Sequence, residues 1–150
     1  MIYAADDDNW EAIAALSKEY EAPVAVRASD GLESLAALAQ QLDGAGGKDL
    51  VLDPGPRDWA DSLAALTQLR RLAIRKNYGA LGYPIISFPG EAAEDEEEEA
   101  LLAAQDVGKY AGLIVMDHFD PATLYPLLTL RQKIYTDPQK PIQVSPGVYD

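Results

Sequence analysis

Lys48-Asp49-Leu50-Val51-Leu52-Asp53-Pro54-Gly55-Pro56 is the stretch that decides the fold. Three aliphatic residues run without alternation into an aspartate, a proline and a glycine. A strand with one wet face alternates polar and apolar residues, whereas an unbroken apolar run means burial on both faces, as in a parallel sheet covered by helices. Proline then fixes φ and glycine accepts a turn that other residues resist, so the chain leaves the strand's C-terminal end for a helix. From about Asp58 that helix carries Leu63, Leu66, Leu69, Leu72 and Ala73 on one face, the spacing of an amphipathic helix.

The same unit repeats on both sides. Upstream, Met1 to Ala5 is a short apolar run, and Asp6-Asp7-Asp8-Asn9 supplies acceptors suited to a helix start. Trp10, Ile13, Ala14, Leu16 and Tyr20 follow at helical spacing, then Val24-Ala25-Val26 as a strand and Leu32, Leu35, Leu38 and Leu42 as a helical stripe. Downstream, Ile85 to Phe88 reads as a strand, Glu91 to Lys109 as a helix, Leu113 to Met116 as a strand and Pro121 to Ile134 as a helix, with Ile142-Gln143-Val144 a final strand. Strands alternating with helices mean right-handed crossovers and a parallel sheet, so the class is α/β and residues 1–150 read as a single domain. Two architectures fit: a complete five-stranded doubly wound sheet, or part of a (β/α)8 TIM barrel with its two strand edges open. The repeat pattern by itself favours the complete sheet.

Charge and composition exclude several functions. The 150 residues carry 25 acidic against 12 basic side chains, a net charge of −13. Nucleic-acid phosphates and anionic membranes both need clustered Lys and Arg, so neither is an expected partner. With no cysteine, disulfides, thiolate metal sites, an iron–sulfur cluster and a cysteine nucleophile are excluded from this chain. No signal pattern and no apolar run near membrane-spanning length is present, which points to a cytoplasmic protein.

Ligands of such folds gather at the C-terminal ends of the strands. The residues expected there are Asp6 to Asn9, Arg27 with Ser29 and Asp30, Asp53 with Arg57, Ser87, and Asp117 with His118. Asn9, Asp53 and Arg27 are the candidate ligand-binding residues of this rim. No phosphate-binding glycine loop, nucleophile elbow or zincin motif occurs, and one histidine without cysteine gives no metal site and no catalytic residue. Asp53-Pro54-Gly55 suits either a plain strand-to-helix turn or a ligand contact. His118 reads as a solvated loop residue or a general base, and the acidic run from Glu94 to Glu99 as a solvated helix start or a contact for a basic partner.

The last helix carries a core-like stripe of Leu124, Leu127, Leu128 and Ile134, with Arg131 on the same side. A partly buried arginine needs a carboxylate, and Asp137 or Asp117 would supply it, clamping the final connection. The other reading is a docking surface made by Tyr135, Lys140 and Tyr149.

Lys48 to Gly55, Leu69-Arg70-Arg71-Leu72-Ala73-Ile74, Leu81-Gly82-Tyr83-Pro84, Lys109-Tyr110-Ala111 and the closing block Pro126 to Pro141 together resemble the large subunit of the corrinoid iron–sulfur protein. That subunit is also called the gamma subunit of the acetyl-CoA decarbonylase/synthase complex. The resemblance runs end to end and implies the later part of a central TIM barrel, reversing the preference for a complete sheet. It also implies methyl carriage in the Wood–Ljungdahl pathway: cobalamin takes a methyl group from methyl-tetrahydropterin through a methyltransferase and delivers it to acetyl-CoA synthase. Cobalamin and a 4Fe-4S cluster are implied for the whole protein and none within this chain. The implied partners are a smaller barrel subunit, the methyltransferase and acetyl-CoA synthase. By this reading Arg131 and Asp137 close the last barrel unit, and Pro141 to Asp150 leads toward a cobalamin domain. Two other functions stay open: a pterin-binding module using Asp53 and Asn9, since pterin barrels such as dihydropteroate synthase carry a similar Asp-Pro-Gly turn, and a stand-alone interaction domain.

Overall fold

The computed structural model describes residues 1–136; Asp137, Lys140, Tyr149 and the expected strand Ile142–Val144 lie outside them. Strands and helices alternate as β1 (Ile2–Ala5), α1 (Trp10–Tyr20), β2 (Val24–Arg27), α2 (Gly31–Gly44), β3 (Leu50–Asp53), α3 (Trp59–Arg75), β4 (Ile86–Ser87), α4 (Glu96–Gly108), β5 (Leu113–Ile114) and α5 (Pro121–Thr136). β1 pairs with β2 and β2 with β3, all parallel, the latter in straight register from Val24 opposite Leu50 to Arg27 opposite Asp53. Leu52 bridges in parallel to Ile85, its N–H donating to the Pro84 carbonyl at 2.7 Å, and β4 pairs in parallel with β5. Spatial order therefore follows chain order. A doubly wound sheet reverses its strand order at a switch point; this sheet never does, so the complete-sheet alternative gives way to an open segment of barrel type.

The apolar runs that define the strands are buried in the middle of the sheet. Val24, Ala25, Val26, Leu50, Leu52 and Ile86 are almost wholly inaccessible, and Leu35, Leu38 and Leu42 of α2 with Leu66 and Leu69 of α3 close over them. Each such aliphatic side chain contributes about 2 kcal/mol of burial. The end strands depart from the expectation of two buried faces: Tyr3 in β1, and Leu113 in β5 with the following Val115, are exposed. Each end strand has a neighbour on one side only. Leu16, Tyr20 and Leu128 likewise face solvent, where α1 and α5 have no second layer against them.

Helix starts follow their caps. Asp58 accepts the Asp61 N–H at 3.0 Å and Asp95 accepts the Glu98 N–H at 2.8 Å, while the Glu98 carboxylate accepts the Glu94 N–H at 2.7 Å. This reciprocal cap begins α4 at Glu96, later than the sequence pattern suggests, because Pro89–Glu91 forms a separate 3-10 turn. Among the described residues no helix is long and apolar enough to cross a membrane.

A polar seam runs between α3 and α4. Gln105 Nε2 donates to Ser62 Oγ at 3.0 Å, and Asp106, only 5% exposed, lies behind β4 beside Ser87. Ser87 Oγ is buried and completes no hydrogen bond of good geometry among the described residues, yet its nearness to Asp106 favours the ionised carboxylate. Burial pushes the Asp106 carboxyl up to about 6, against the smaller opposing pulls of Ser87 and Arg57. The folded value exceeds the unfolded 3.8, so folding takes up a proton between these pH values and charged Asp106 opposes folding above them. Asp106→Asn is expected to leave stability nearly unchanged at pH 3.5 and to raise it at pH 8 by up to about 3 kcal/mol, read from denaturant midpoints at the two pH values; equal effects at both would show that burial does not govern this carboxyl.

Candidate functional site

The Asp53-Pro54-Gly55 turn builds the site. Gly55 adopts φ +96°, a left-handed conformation open to glycine, and this swings its N–H back onto Asp53 Oδ1 at 2.9 Å. The turn then carries Arg57 over the same carboxylate. Arg57 Nη1 donates to Oδ1 at 2.8 Å and Nη2 to Oδ2 at 2.7 Å, a two-pronged pair, and the Tyr3 hydroxyl from β1 donates to Oδ2 at 2.7 Å. Arg57 Nε reaches the Glu91 carboxylate. Phe88 caps the group: the Arg57 guanidinium lies 5.0 Å from its ring centre, and Tyr3 meets it edge-on at 5.1 Å.

Electrostatics follow from that geometry. Asp53 is completely buried, and burial alone would raise its pKa. The bonds from Arg57, Tyr3 and the Gly55 N–H outweigh burial, so the carboxyl is held below its ordinary range. Arg57 is held more firmly protonated, above all by its bonds to Asp53. The Tyr3 hydroxyl is shifted upward by burial and then by its bond to Asp53.

A second buried carboxylate lies nearby. Glu99 of α4 is completely inaccessible and accepts the backbone N–H groups of Asp117 and His118, with His118 Nδ1 2.8 Å from Oε2. Burial opposes its ionisation, yet these bonds outweigh burial and lower its pKa, and Glu99 in turn raises that of His118. Gly90 makes room for this arrangement, since a Cβ there would lie 2.5 Å from Asp117 Oδ2 and 2.9 Å from Glu99 Oε1. The acidic run is thus a solvated helix start up to Glu98 and an anchor at Glu99. The spacing Glu99, Leu102, Ala103, Asp106, Val107 places it on the buried face of α4, a signal legible once the apolar positions are phased.

The expected rim residues come together only in part. Asp6, Asp7, Asp8, Arg27, Ser29 and Gly55 line an open cleft of about 780 Å3 at the C-terminal ends of β1 to β3. Arg27 is exposed there and free of carboxylate contacts within 4.0 Å among the described residues. Asn9 and Asp53 are turned inward. Asn9 Oδ1 accepts the Asp6 N–H at 3.0 Å and its Nδ2 donates to the Ala4 carbonyl at 3.2 Å, while Asp53 is filled as described. Tyr3 and Glu91 were not evident from sequence as members, because pairing across 50 and 34 positions leaves no local pattern.

Arg131 is also placed differently from its expected burial. It is exposed, its guanidinium 5.2 Å from the Tyr135 ring centre, and no ion pair to Asp117 forms. α5 rests on α4 alone along this side, so a helical stripe that looks core-like is left half in water; Asp137, the other expected partner, lies outside the described residues.

Arg57→Ala would strand a buried, ionised Asp53, and loss of one partner of a buried pair costs about 3–5 kcal/mol. Because the folded pKa is lowered, the pair's contribution is present above pH 3.8 and is lost as pH falls through the lower folded value. Urea denaturation is therefore expected to show a large wild-type advantage over Arg57→Ala at pH 7 that shrinks below pH 3.8; a constant difference would refute the ionic account.

A family model described as CO dehydrogenase/acetyl-CoA synthase delta subunit matches residues 1–150. The chain is similar to the corrinoid/iron-sulfur protein large subunit of Moorella thermoacetica, 46% identical over 144 residues, which cover 96% of this chain and 32% of that protein. It is also similar to the acetyl-CoA decarbonylase/synthase complex subunit gamma of Archaeoglobus fulgidus, at 35% identity over 99% of this chain and 34% of the relative, and to that of Methanothermobacter thermautotrophicus, at 32% over 100% and 35%. The chain thus spans about a third of the length of the relatives it matches. The resemblance carried by Lys48 to Gly55 and the Pro126 to Pro141 block is borne out, and the chain belongs to the CO dehydrogenase/acetyl-CoA synthase delta subunit family, homologous along its whole length to the corrinoid iron–sulfur large subunits.

Proposed function

We propose that this chain is the scaffold and interaction portion of a corrinoid iron–sulfur methyl carrier. In that reading the whole carrier takes a methyl group from a methyl-tetrahydropterin through a methyltransferase and passes it, on cobalamin, to acetyl-CoA synthase. The observation that carries the proposal is a C-terminal rim whose central polar groups are consumed internally: Asp53 and Asn9 hold the barrel turns together and leave little for a substrate. A scaffold needs such rigidity, whereas a pterin site would need those acceptors free.

The residues present do not fit an iron–sulfur cluster, since the sequence holds no cysteine to ligate it. The one histidine, His118, is tied through Nδ1 to the buried Glu99, and no cobalamin contact is assigned to it. Both groups belong, in this reading, to other parts of the carrier, and no chemical step is assigned to residues 1–150. The exposed strands β1 and β5 are the natural places for further barrel strands, because a parallel sheet leaves unpaired N–H and C=O groups at each edge.

Two measurements test the proposal. Mixed with the smaller barrel subunit of the corrinoid protein, the chain is expected to elute as a complex whose mass by light scattering is the sum of the two; separate elution of both would count against the scaffold role. Methyl-tetrahydropterin is expected to leave the fluorescence of Trp10 and Trp59 unchanged, and a saturable change would favour the pterin module instead.

A further inference from the structure

The positive charge of this acidic protein is gathered at the end of the sheet opposite the rim. Arg70, Arg71, Arg75 and Lys76 lie in the second half of α3 and just beyond it, Lys109 follows α4, and Arg131 and Lys133 lie in the last turns of α5. None of them has a carboxylate within 4.0 Å among the described residues. The ion pairs of the described residues involve Lys48, Arg57 and His118 instead. In a chain with 25 acidic side chains, a group of cations without ion pairs among the described residues needs an explanation.

The helix dipole supplies part of it. Cations are favoured at helix C-termini, and a parallel βα array points every helix C-terminus to the same end. That effect fades within the last turn, however, and Arg70 and Arg131 lie five residues before the ends of α3 and α5. These two are the ones held in place. Arg70 stacks over Tyr110 with its guanidinium carbon 4.5 Å from the ring centre, Tyr110 meets Tyr135 edge-on at 5.6 Å, and Arg131 lies 5.2 Å from the Tyr135 centre. The result is a ladder of arginine, tyrosine, tyrosine and arginine across α3, the turn before β5, and α5. Stacking fixes each guanidinium plane while leaving its N–H edge in water, ready for a carboxylate.

Beside the ladder lies a cleft of about 200 Å3 at the N-terminal end of β4, floored by Leu69, Ala73, Leu81 and Ile85 and rimmed by Arg70 and Tyr110. Its apolar floor suits one aliphatic or aromatic side chain; Arg70 on its rim suits a carboxylate, Arg131 stands further along the ladder beyond Tyr110 and Tyr135, and Asp43 beside Tyr83 makes that part of the lining acidic. We infer that this face docks a protein segment in which an apolar residue is flanked by acidic ones, the apolar side chain entering the cleft and the carboxylates pairing with Arg70 and Arg131. The inference is independent of the scaffold reading, because it rests on a different face, on the apolar floor of this cleft and on the charge beside it.

The test uses fluorescence anisotropy with a short fluorescein-labelled peptide alternating glutamate and leucine, the whole chain and low salt. Saturable binding is expected, weakening as salt screens the exposed charges. Arg70→Ala and Arg131→Ala should each weaken it by about tenfold, the factor for one charge-assisted contact of 1.4 kcal/mol. Arg70→Lys should lose most of the same affinity, because an ammonium neither stacks nor forks. Lys18→Ala on α1, which does not line the cleft, should bind as wild type, and all variants should melt at the wild-type temperature, since the substituted side chains are exposed. A peptide with serine for leucine should bind more weakly. Absence of binding, equal binding by Arg70→Ala and Lys18→Ala, or equal affinity for a single-stranded RNA of matched charge would overturn the inference.

Discussion

The Asp53–Arg57 pair is the constraint on which the rim depends. A fully buried carboxylate is unfavourable by several kcal/mol unless it is paired and hydrogen-bonded, and here its two oxygens accept four bonds, two from Arg57 and one each from Gly55 and Tyr3. Tyr3 brings β1 to it, the Gly55 turn supplies an N–H, and Arg57 carries on to Glu91 beyond β4. The strands are therefore tied together at their C-terminal ends by one anion. Without that anion, Tyr3, Gly55 and Arg57 would have no shared partner.

Glu99 repeats the arrangement on the far half of the sheet. It anchors the Asp117–His118 turn to α4 much as Asp53 anchors Tyr3 and Arg57. In both places a helix or strand residue that looks like surface charge is the buried centre of a turn. The ordinary role of a barrel rim is to present polar groups to ligands; here those groups are turned inward, which is why the site reads as a framework. What stays open at the rim is the wide cleft around Arg27 and the Asp6 to Asp8 turn.

The two ends of the sheet differ in charge for one geometric reason. Parallel strands joined by right-handed crossovers align all helices, so caps rich in Asp and Glu gather at one end and the Lys and Arg of the last turns at the other. A single net charge of −13 conceals this polarity, and the exclusion of basic surfaces from composition holds for the whole chain while missing the local array of Arg70 and Arg131.

The α/β class, the parallel sheet and the central core were legible in the sequence because they depend on local spacing: unbroken runs at Val24–Val26 and Leu50–Leu52, and stripes such as Leu35, Leu38 and Leu42. Family membership was legible too, since it is carried by contiguous blocks. The sequence could not show that β1 and β5 are half exposed, nor that Leu128 and Arg131 face water, because periodicity tells which face of an element is apolar but not whether another element covers it. Nor could it join Tyr3 and Glu91 to Asp53, or His118 to Glu99. The sequence by itself determined the elements and their order, through short-range sterics and the 2.0 and 3.6 periodicities. Only the tertiary structure decided which charges are buried, because desolvation and pairing depend on which distant residues the fold brings within hydrogen-bond reach.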